Sequence, residues 1–345
     1  MTGETSTTVP GVPPEVEGRQ VVAATWLGGG RNSAVYLITL EDGDRRALKR
    51  YFGKTMDGRS RMEVEFSALR FLWDNGFRNV PRPVMADSEG NQAVYGYIEG
   101  EAIGQDKLTA GRIDELVGFA ARLKQISGAD GGRELFPASE ACFSLRAVME
   151  SVRRRYDALE NIPVDSQPHD DLKKFLGGVF KPSFDEMEKW VTDNGGLAMD
   201  EELGVAYRTL SQSDFGFHNT VLGKEGQLVF VDFEYFGWDD PAKMICDFLL
   251  SPAMTLTEAL KRRFLDGAMN VFGNDGNLPV RVRYYYPLFG LKWAMIMLND
   301  FLPGRALRQA ANGADAENIR RAQLRKAERM TGEITKNYAN FYCGA

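Results

Sequence analysis

The chain is poor in the residues that build metal centres and disulfide frameworks. Among 345 residues there are only three cysteines and two histidines. Cys142, Cys246 and Cys343 stand far apart with no CxxC spacing, which argues against a disulfide scaffold or a cysteine zinc site. His169 and His218 are too few for a His-rich metal centre. There is no long basic block, and the formal net charge is −6. Nucleic acid demands clustered Lys and Arg, so it is not expected as a partner. Long apolar runs are missing too. The most apolar stretch, 284–303, contains Lys292 and Asp300. It reads as a buried helix, since a membrane span needs about 20 nearly uncharged residues. The opening MTGETSTTVPGVPPEVEG has neither the basic nor the apolar region of a secretory signal. A mobile tail over 1–18 and a cytoplasmic location are expected.

What is present has the balance of a globular protein, with 43% hydrophobic and 26% charged residues. The length suggests two domains or lobes. Residues 20–27, 34–40 and 45–52 read as strands, the last two joined by an Asp-Gly hairpin turn in EDGD. Helical spacing of Met62, Phe66, Leu69 and Leu72 follows over 60–76, closed by Gly76. VPRPVMAD and NQAVYGYIEG then suggest two more short strands. After residue 100 the pattern is mostly helical, over 109–127, 140–160, 169–193, 255–272, 284–302 and 315–342. One β-rich island, 220–237, interrupts it.

Three groups of residues point to chemistry. In LGGGRNSAVY, Gly28, Gly30 and Ser33 match GxGxxG with Ser in the last place. Such a turn lets backbone amides approach phosphate oxygens, because glycine has no Cβ in the way. A dinucleotide-binding turn is followed by a helix; here a strand follows. Lys49 lies on the third strand with Ala47 two residues before it, placed like the strand lysine that pairs with nucleotide phosphates in kinases. Glu65 on the next helix is the better partner for it by phase, with Glu63 in reserve.

The third group contains an ambiguity. SQSDFGFHN spells Asp214-Phe215-Gly216, the metal-binding tripeptide of protein kinases, but Asp214 also precedes Asn219 by five residues, the spacing of the catalytic loop. The span 161–210 offers no upstream Asp with that spacing to Asn. Downstream, Asp232 follows an apolar strand, with Glu234 two residues on. Asp214 therefore reads as the catalytic residue, and Asn219 and Asp232 as magnesium ligands. Phosphoryl transfer needs such a set: one carboxylate orients the hydroxyl, while a second and an amide hold Mg²⁺ on the phosphates.

On SQSDFGFHN and VDFEYFGWDDPAKMICDF the chain resembles the aminoglycoside phosphotransferase and choline kinase superfamily, over roughly residues 20–250. The resemblance implies an α+β, protein-kinase-like, two-lobed fold. It would have an N-terminal antiparallel five-stranded sheet with one helix (19–98) and a mostly helical catalytic and substrate lobe (99–345). It implies Asp214 as catalytic Asp, Asn219 and Asp232 as Mg²⁺ ligands, and Lys49 with Glu65 as the phosphate anchor. Tyr95 and Tyr97 would lie in the hinge that meets adenine, and Asp247 would brace the catalytic loop. The implied activity is transfer of a γ-phosphate from ATP, or GTP in its place, to a hydroxyl of a small molecule such as an amino alcohol, aminoglycoside or sugar. A monomer or homodimer is expected, with no membrane partner.

The pattern departs from the family at three positions. Gln212 replaces a His two residues before the catalytic Asp, Ser213 replaces a Gly, and His218 stands where Gly is more usual. Gln212 is expected to keep the loop's shape through backbone hydrogen bonds, and His218 to be a satisfied loop histidine in preference to the alternative, a direct catalytic role. Gln212 also motivates the rival reading, a catalytically silent nucleotide-binding pseudokinase with a regulatory role. The short stretch between Asp232 and Asp240-Pro241 leaves no room for a protein-kinase activation segment. Aromatic residues at Tyr284, Tyr285, Tyr286 and Trp293 could cage a quaternary ammonium, although core packing is the simpler reading. Asp239 and Asp240 could draw in a cationic substrate.

Overall fold

A computed structural model describes residues 9–30, 32–54, 58–194, 196, 198–303 and 315–340. Cys343 lies outside them, as do the first eight residues of the expected tail. The chain forms two compact units. The first gathers residues 1–139, 209–238 and 253–267; the second gathers 140–208, 239–252 and 268–345. This partition differs from a boundary at residue 98, because the catalytic-loop strands group with the N-terminal sheet.

The first unit is built on an antiparallel sheet. Its strands are β1 (Glu15–Val16), β2 (Arg19–Gly29), β3 (Ser33–Leu40), β4 (Arg45–Tyr51), β5 (Pro83–Asp87) and β6 (Gln92–Gly96), in the order β1-β2-β3-β4-β6-β5. There are six strands instead of five because Glu15 and Val16 pair with Gln20 and Arg19. Val16 is buried with Ile38, Leu40, Leu48 and Val94, and Val12 packs against that cluster. Val16, with Val12 against it, thus belongs to the sheet's core, which a composition rich in Pro and Gly conceals. The Asp-Gly turn forms as expected, with Gly43 at φ 88° and its amide bonded to the Leu40 carbonyl.

Helix α1 (Arg61–Asp74) begins at Ser60, whose hydroxyl accepts from the Glu63 amide. It buries Met62, Glu65, Leu69 and Leu72 on one face, while Glu63 stays exposed. That phase decides which glutamate can reach β4. Strand β7 (Gly100–Ala102) and helix α2 (Ala110–Ile126) follow. The same unit holds β9 (Thr220–Gly223) and β10 (Leu228–Phe230), stacked as β10-β9-β7. Phe119 of α2 stacks on Phe230 at 3.7 Å, and Phe215 is buried beside them. The Phe of the kinase-like tripeptide is therefore a core residue.

The second unit is helical: α3 (Leu145–Glu160), α4 (Gln167–Phe175), α5 (Lys181–Asn194), α6 (Pro241–Leu250), α8 (Leu278–Met297) and α9 (Ala316–Asn337). Strands β8 (Thr209–Ser211) and β11 (Gly237–Asp239) pair, and α7 (Glu258–Val271) precedes α8. The helix expected over 169–193 is interrupted by a π turn at Leu176–Phe180, a wider winding that two successive glycines permit. α8 starts six residues before the expected 284. Pro279 fits its first turn, and Pro287 sits inside it. A Cβ on Gly290 of α8 would come within 2.6 Å of Ile334 Cγ1 and Cδ1 of α9, so a larger residue there would have to displace that side chain. No described helix is long and apolar enough to cross a membrane.

Glu140, at φ 61°, is a charged node in this second unit. Lys292 Nζ binds it at 2.8 Å and Arg155 binds its other oxygen. Burial opposes its ionisation, but the two cations outweigh that and hold it down at about 2, against an ordinary 4.5. A depressed acid stabilises the fold above its unfolded value and loses that contribution as pH falls through the folded one. Stability measured by urea unfolding should drop between pH 4.5 and about 2. Glu140→Gln should flatten that slope. An identical slope in the variant would reject Glu140 as its source.

Candidate active site

Four short stretches of the first unit converge. β4 carries Lys49, α1 carries Glu65, the loop after β8 carries Asp214 to Asn219, and the segment after β10 carries Asp232 to Tyr235. Lys49 Nζ donates to Glu65 Oε2 at 2.6 Å and to Asp232 Oδ1 at 2.7 Å. Only 8% of Lys49 and 3% of Glu65 is exposed. Burial works against the ammonium, yet Glu65 and then Asp232 outweigh it, and Lys49 is held above its ordinary value. It is a fixed cation. Glu65 also accepts from Tyr51 Oη at 2.9 Å and from the Phe233 amide at 3.3 Å, so both its oxygens are engaged.

The loop is tied to the Asp232 segment by three contacts. Gln212 is fully buried, and its Nε2 donates to the Val231 and Asp232 carbonyls, the latter at 3.0 Å. The Val231 amide donates to the Asn219 carbonyl at 2.9 Å. Asn219 Nδ2 donates to the Asp214 carbonyl at 2.8 Å. Gln212 thus holds the loop to its neighbour through backbone bonds, as its chemistry suggested. Ser213 and Asp232 sit at φ 67° and 66°, in the left-handed region, which glycine enters more cheaply than serine. Ser213 is secured there: its amide donates to Ser211 Oγ and its own hydroxyl to the Ser139 carbonyl.

The glycine turn presents an open face. A Cβ on Gly28 or Gly30 would meet nothing within 4 Å. The Gly30 amide closes the turn onto the Ser33 carbonyl at 2.9 Å. Asn32 anchors it further on, donating to Glu234 Oε1 at 2.7 Å and Tyr235 Oη at 2.8 Å. Arg61 Nη1 also binds Glu234 Oε1, at 2.8 Å. Asn32, Arg61 and Glu234 were not legible as a group: their partners are about 170 to 200 residues away in sequence.

The acidic donors suit a hard divalent cation. Oxygen atoms of Glu65, Asp232 and Glu234 lie within 4.8 Å of one another. Glu65 is already committed to Lys49, Tyr51 and the Phe233 amide. Glu234 Oε2 is buried with no hydrogen-bond partner among the described residues, an unsatisfied charge that a cation would relieve. The Asn219 side chain is held through its Nδ2, which leaves its amide oxygen out of that bond.

Other expected residues sit differently. The Tyr95 side chain is buried and shares a 2.8 Å hydrogen bond with Tyr51 Oη, extending the Glu65 network. Tyr97 lies under the Arg45 guanidinium at 4.9 Å. Asp247 belongs to the second unit, where it accepts from Trp293 Nε1 at 2.9 Å and pairs with Lys243 at 3.1 Å. Asp239 and Asp240 are fully buried. Burial raises Asp239 to about 6 despite Lys243, and Asp240 caps α6 and grips Arg281. Neither can attract a substrate from solvent. Tyr284 packs on Trp190 at 4.8 Å and Tyr285 is buried, so both are core residues and not an ammonium cage.

A family model described as the phosphotransferase enzyme family matches residues 24–285. A spectinomycin phosphotransferase solved with ADP and spectinomycin superposes with a TM-score of 0.62 at 15% identity, over 92% of this chain and 94% of that one. A choline kinase from Cryptosporidium parvum gives 0.56 at 12% identity, over 92% and 91%. An amicoumacin kinase solved with AMP-PNP and Ca²⁺ gives 0.56 at 15%, over 91% and 88%. The shared fold is kinase-like. No curated protein sequence matches the chain.

Proposed function

The chain belongs to the phosphotransferase enzyme family, and from that premise we propose that it moves the γ-phosphate of ATP to a hydroxyl of a small molecule in the presence of Mg²⁺. The observation that carries this is Lys49 bound at once to Glu65 and Asp232, on the same unit as the Asp214–Asn219 loop. Lys49 would meet the phosphates as a compact point charge, under amides of the open Gly28–Gly30 turn. Asp232, Asn219 and Glu234 would hold the metal, which when bound neutralises charge on the β- and γ-phosphates. Asp214 would accept a hydrogen bond from the acceptor hydroxyl and take its proton late in the transfer. Tyr95 and Tyr97 flank the hinge against which adenine would lie.

Two of the solved relatives named above were solved with adenine nucleotides, which supports ATP; nothing comparable supports GTP. Their acceptors include spectinomycin, so an amino alcohol, aminoglycoside or sugar is the class to try. The silent pseudokinase reading has no support, because Gln212 is accommodated and Lys49, Asp214, Asn219 and Asp232 are all present. The test offers ATP and Mg²⁺ with panels of these three acceptor classes and follows the product by ³¹P NMR. A phosphoester should form with at least one acceptor and not in an Asp214→Asn control. ATP binding with no transfer to any class would overturn the proposal.

A further inference from the structure

The sequence places His218 where the family it resembles more often has glycine, and the expected role was a satisfied loop histidine. The structure gives the ring a specific partner. His218 Nε2 lies 2.9 Å from Asp214 Oδ1. An ionised carboxylate only accepts hydrogen bonds, so Nε2 carries the proton in that contact. The other ring nitrogen, Nδ1, is buried with no partner among the described residues, so nothing else on the ring competes for its orientation.

The ring is also held by packing. His218 lies in the short 3-10 turn Phe217–Asn219, and its side chain is 19% exposed. A Cβ on Gly216 would come within 2.9 Å of His218 Nδ1 and 2.8 Å of Met254 Sδ. The glycine therefore leaves just the room that the imidazole and the thioether fill. Met254 Sδ in turn receives the Phe217 amide at 3.2 Å. The next residue, Asn219, holds the Asp214 main-chain carbonyl. Adjacent side chains thus grip both ends of one residue: the backbone carbonyl by an amide, the carboxylate by an imidazole.

We propose that His218 is a positioning residue for Asp214, fixing the rotation of its carboxylate toward the acceptor hydroxyl. This rests on the phosphotransfer reading above. In the step itself the acceptor O–H bond breaks, the oxygen bonds to phosphorus and its proton goes to Asp214; His218 keeps its own proton throughout. Its contribution is geometric. A misplacement on the order of 1 Å can cost ~10²-fold in rate, and a carboxylate free to swing would forfeit part of that.

Two measurements test the proposal. In ¹⁵N-labelled protein with only two histidines, the ring signals of His218 are identified by their loss in His218→Phe. They should show the Nε2–H tautomer with a hydrogen-bonded proton that disappears in Asp214→Ala. An Nδ1–H tautomer, or a signal unchanged in Asp214→Ala, would overturn the pairing. With an acceptor in hand, His218→Phe should lower kcat about 10- to 100-fold with KM for ATP within about two-fold. His218→Gln, which restores an N–H donor, should recover most of the loss. Wild-type kcat in the Phe variant, or equal impairment of Phe and Gln, would also overturn it. A wild-type chain that transfers no phosphate would sink the phosphotransfer reading instead, and the ring spectra would still decide the pairing.

Discussion

Asp214→Asn should lower kcat by ~10²–10⁴-fold, the range for a positioned acid or base, and leave ATP affinity nearly unchanged. The substitution keeps the side chain's shape and its ability to accept from His218 Nε2. It removes only the charge and basicity needed when the acceptor hydroxyl loses its proton. Lys49, Glu65 and Asp232, which would meet the nucleotide and its metal, bond to one another and to Tyr51 and Phe233 without that carboxylate. Single-turnover kinetics with calorimetric ATP titration separates the two effects. A variant that turns over like wild type would remove Asp214 from the chemistry. One that no longer binds ATP would mean the residue shapes the nucleotide site.

Lys49→Met should damage both folding and function, for different reasons. The lysine is the counter-charge of a glutamate that is nearly sealed from water. Removing one partner of a buried pair leaves an uncompensated charge and typically costs about 3–5 kcal/mol. Tyr51 and the Phe233 amide can still donate to Glu65, so the loss should fall near the lower end. Adding Glu65→Leu removes the stranded carboxylate, and most of the stability should return. Activity should not return, because no cation is left to meet the phosphates. Urea unfolding of wild type, both single variants and the double variant gives the coupling directly. Additive losses would mean the 2.6 Å contact carries no interaction energy. Activity recovered in the double variant would mean Lys49 has no role at the phosphates.

The residues proposed to carry the chemistry could be picked out because the signals that mark them are local. The five-residue step from Asp214 to Asn219, the strand before Asp232 and the glycine turn between two strands are each defined by near neighbours in the chain. The same holds for the choice of Glu65 over Glu63, since helical phase alone turns one toward the core and the other to solvent. The Gln212 prediction also held, because a side-chain amide that bonds backbone needs only an adjacent segment.

Errors arose where composition or count had to stand in for packing. Val12 and Val16 sit in a Pro- and Gly-rich stretch, yet a sheet that needs covering draws them in. Asp239 and Asp240 look like a surface acidic pair, but Lys243 and Arg281, supplied by other turns of the fold, let them be fully buried. In the aromatic run at 284–286, Tyr284 packs on Trp190 and Tyr285 is buried in the core. Nothing near His218 in the chain announces that its ring reaches back to Asp214; the turn at Phe217–Asn219 and the empty side of Gly216 decide that.

The order of three strands, one helix and two strands over residues 20–96, the residue types proposed for catalysis and metal binding, and the class of reaction follow from the amino-acid sequence by itself, since periodicity and short spacings encode them. The pairing of Lys49 with Asp232, the anchoring of the glycine turn through Asn32 and Glu234, and the grip of His218 on Asp214 were decided by tertiary structure alone. The first two join residues more than 180 positions apart, and the third depends on which way a ring turns. Such contacts exist only once the chain has closed on itself and burial has made each partner the best one within reach.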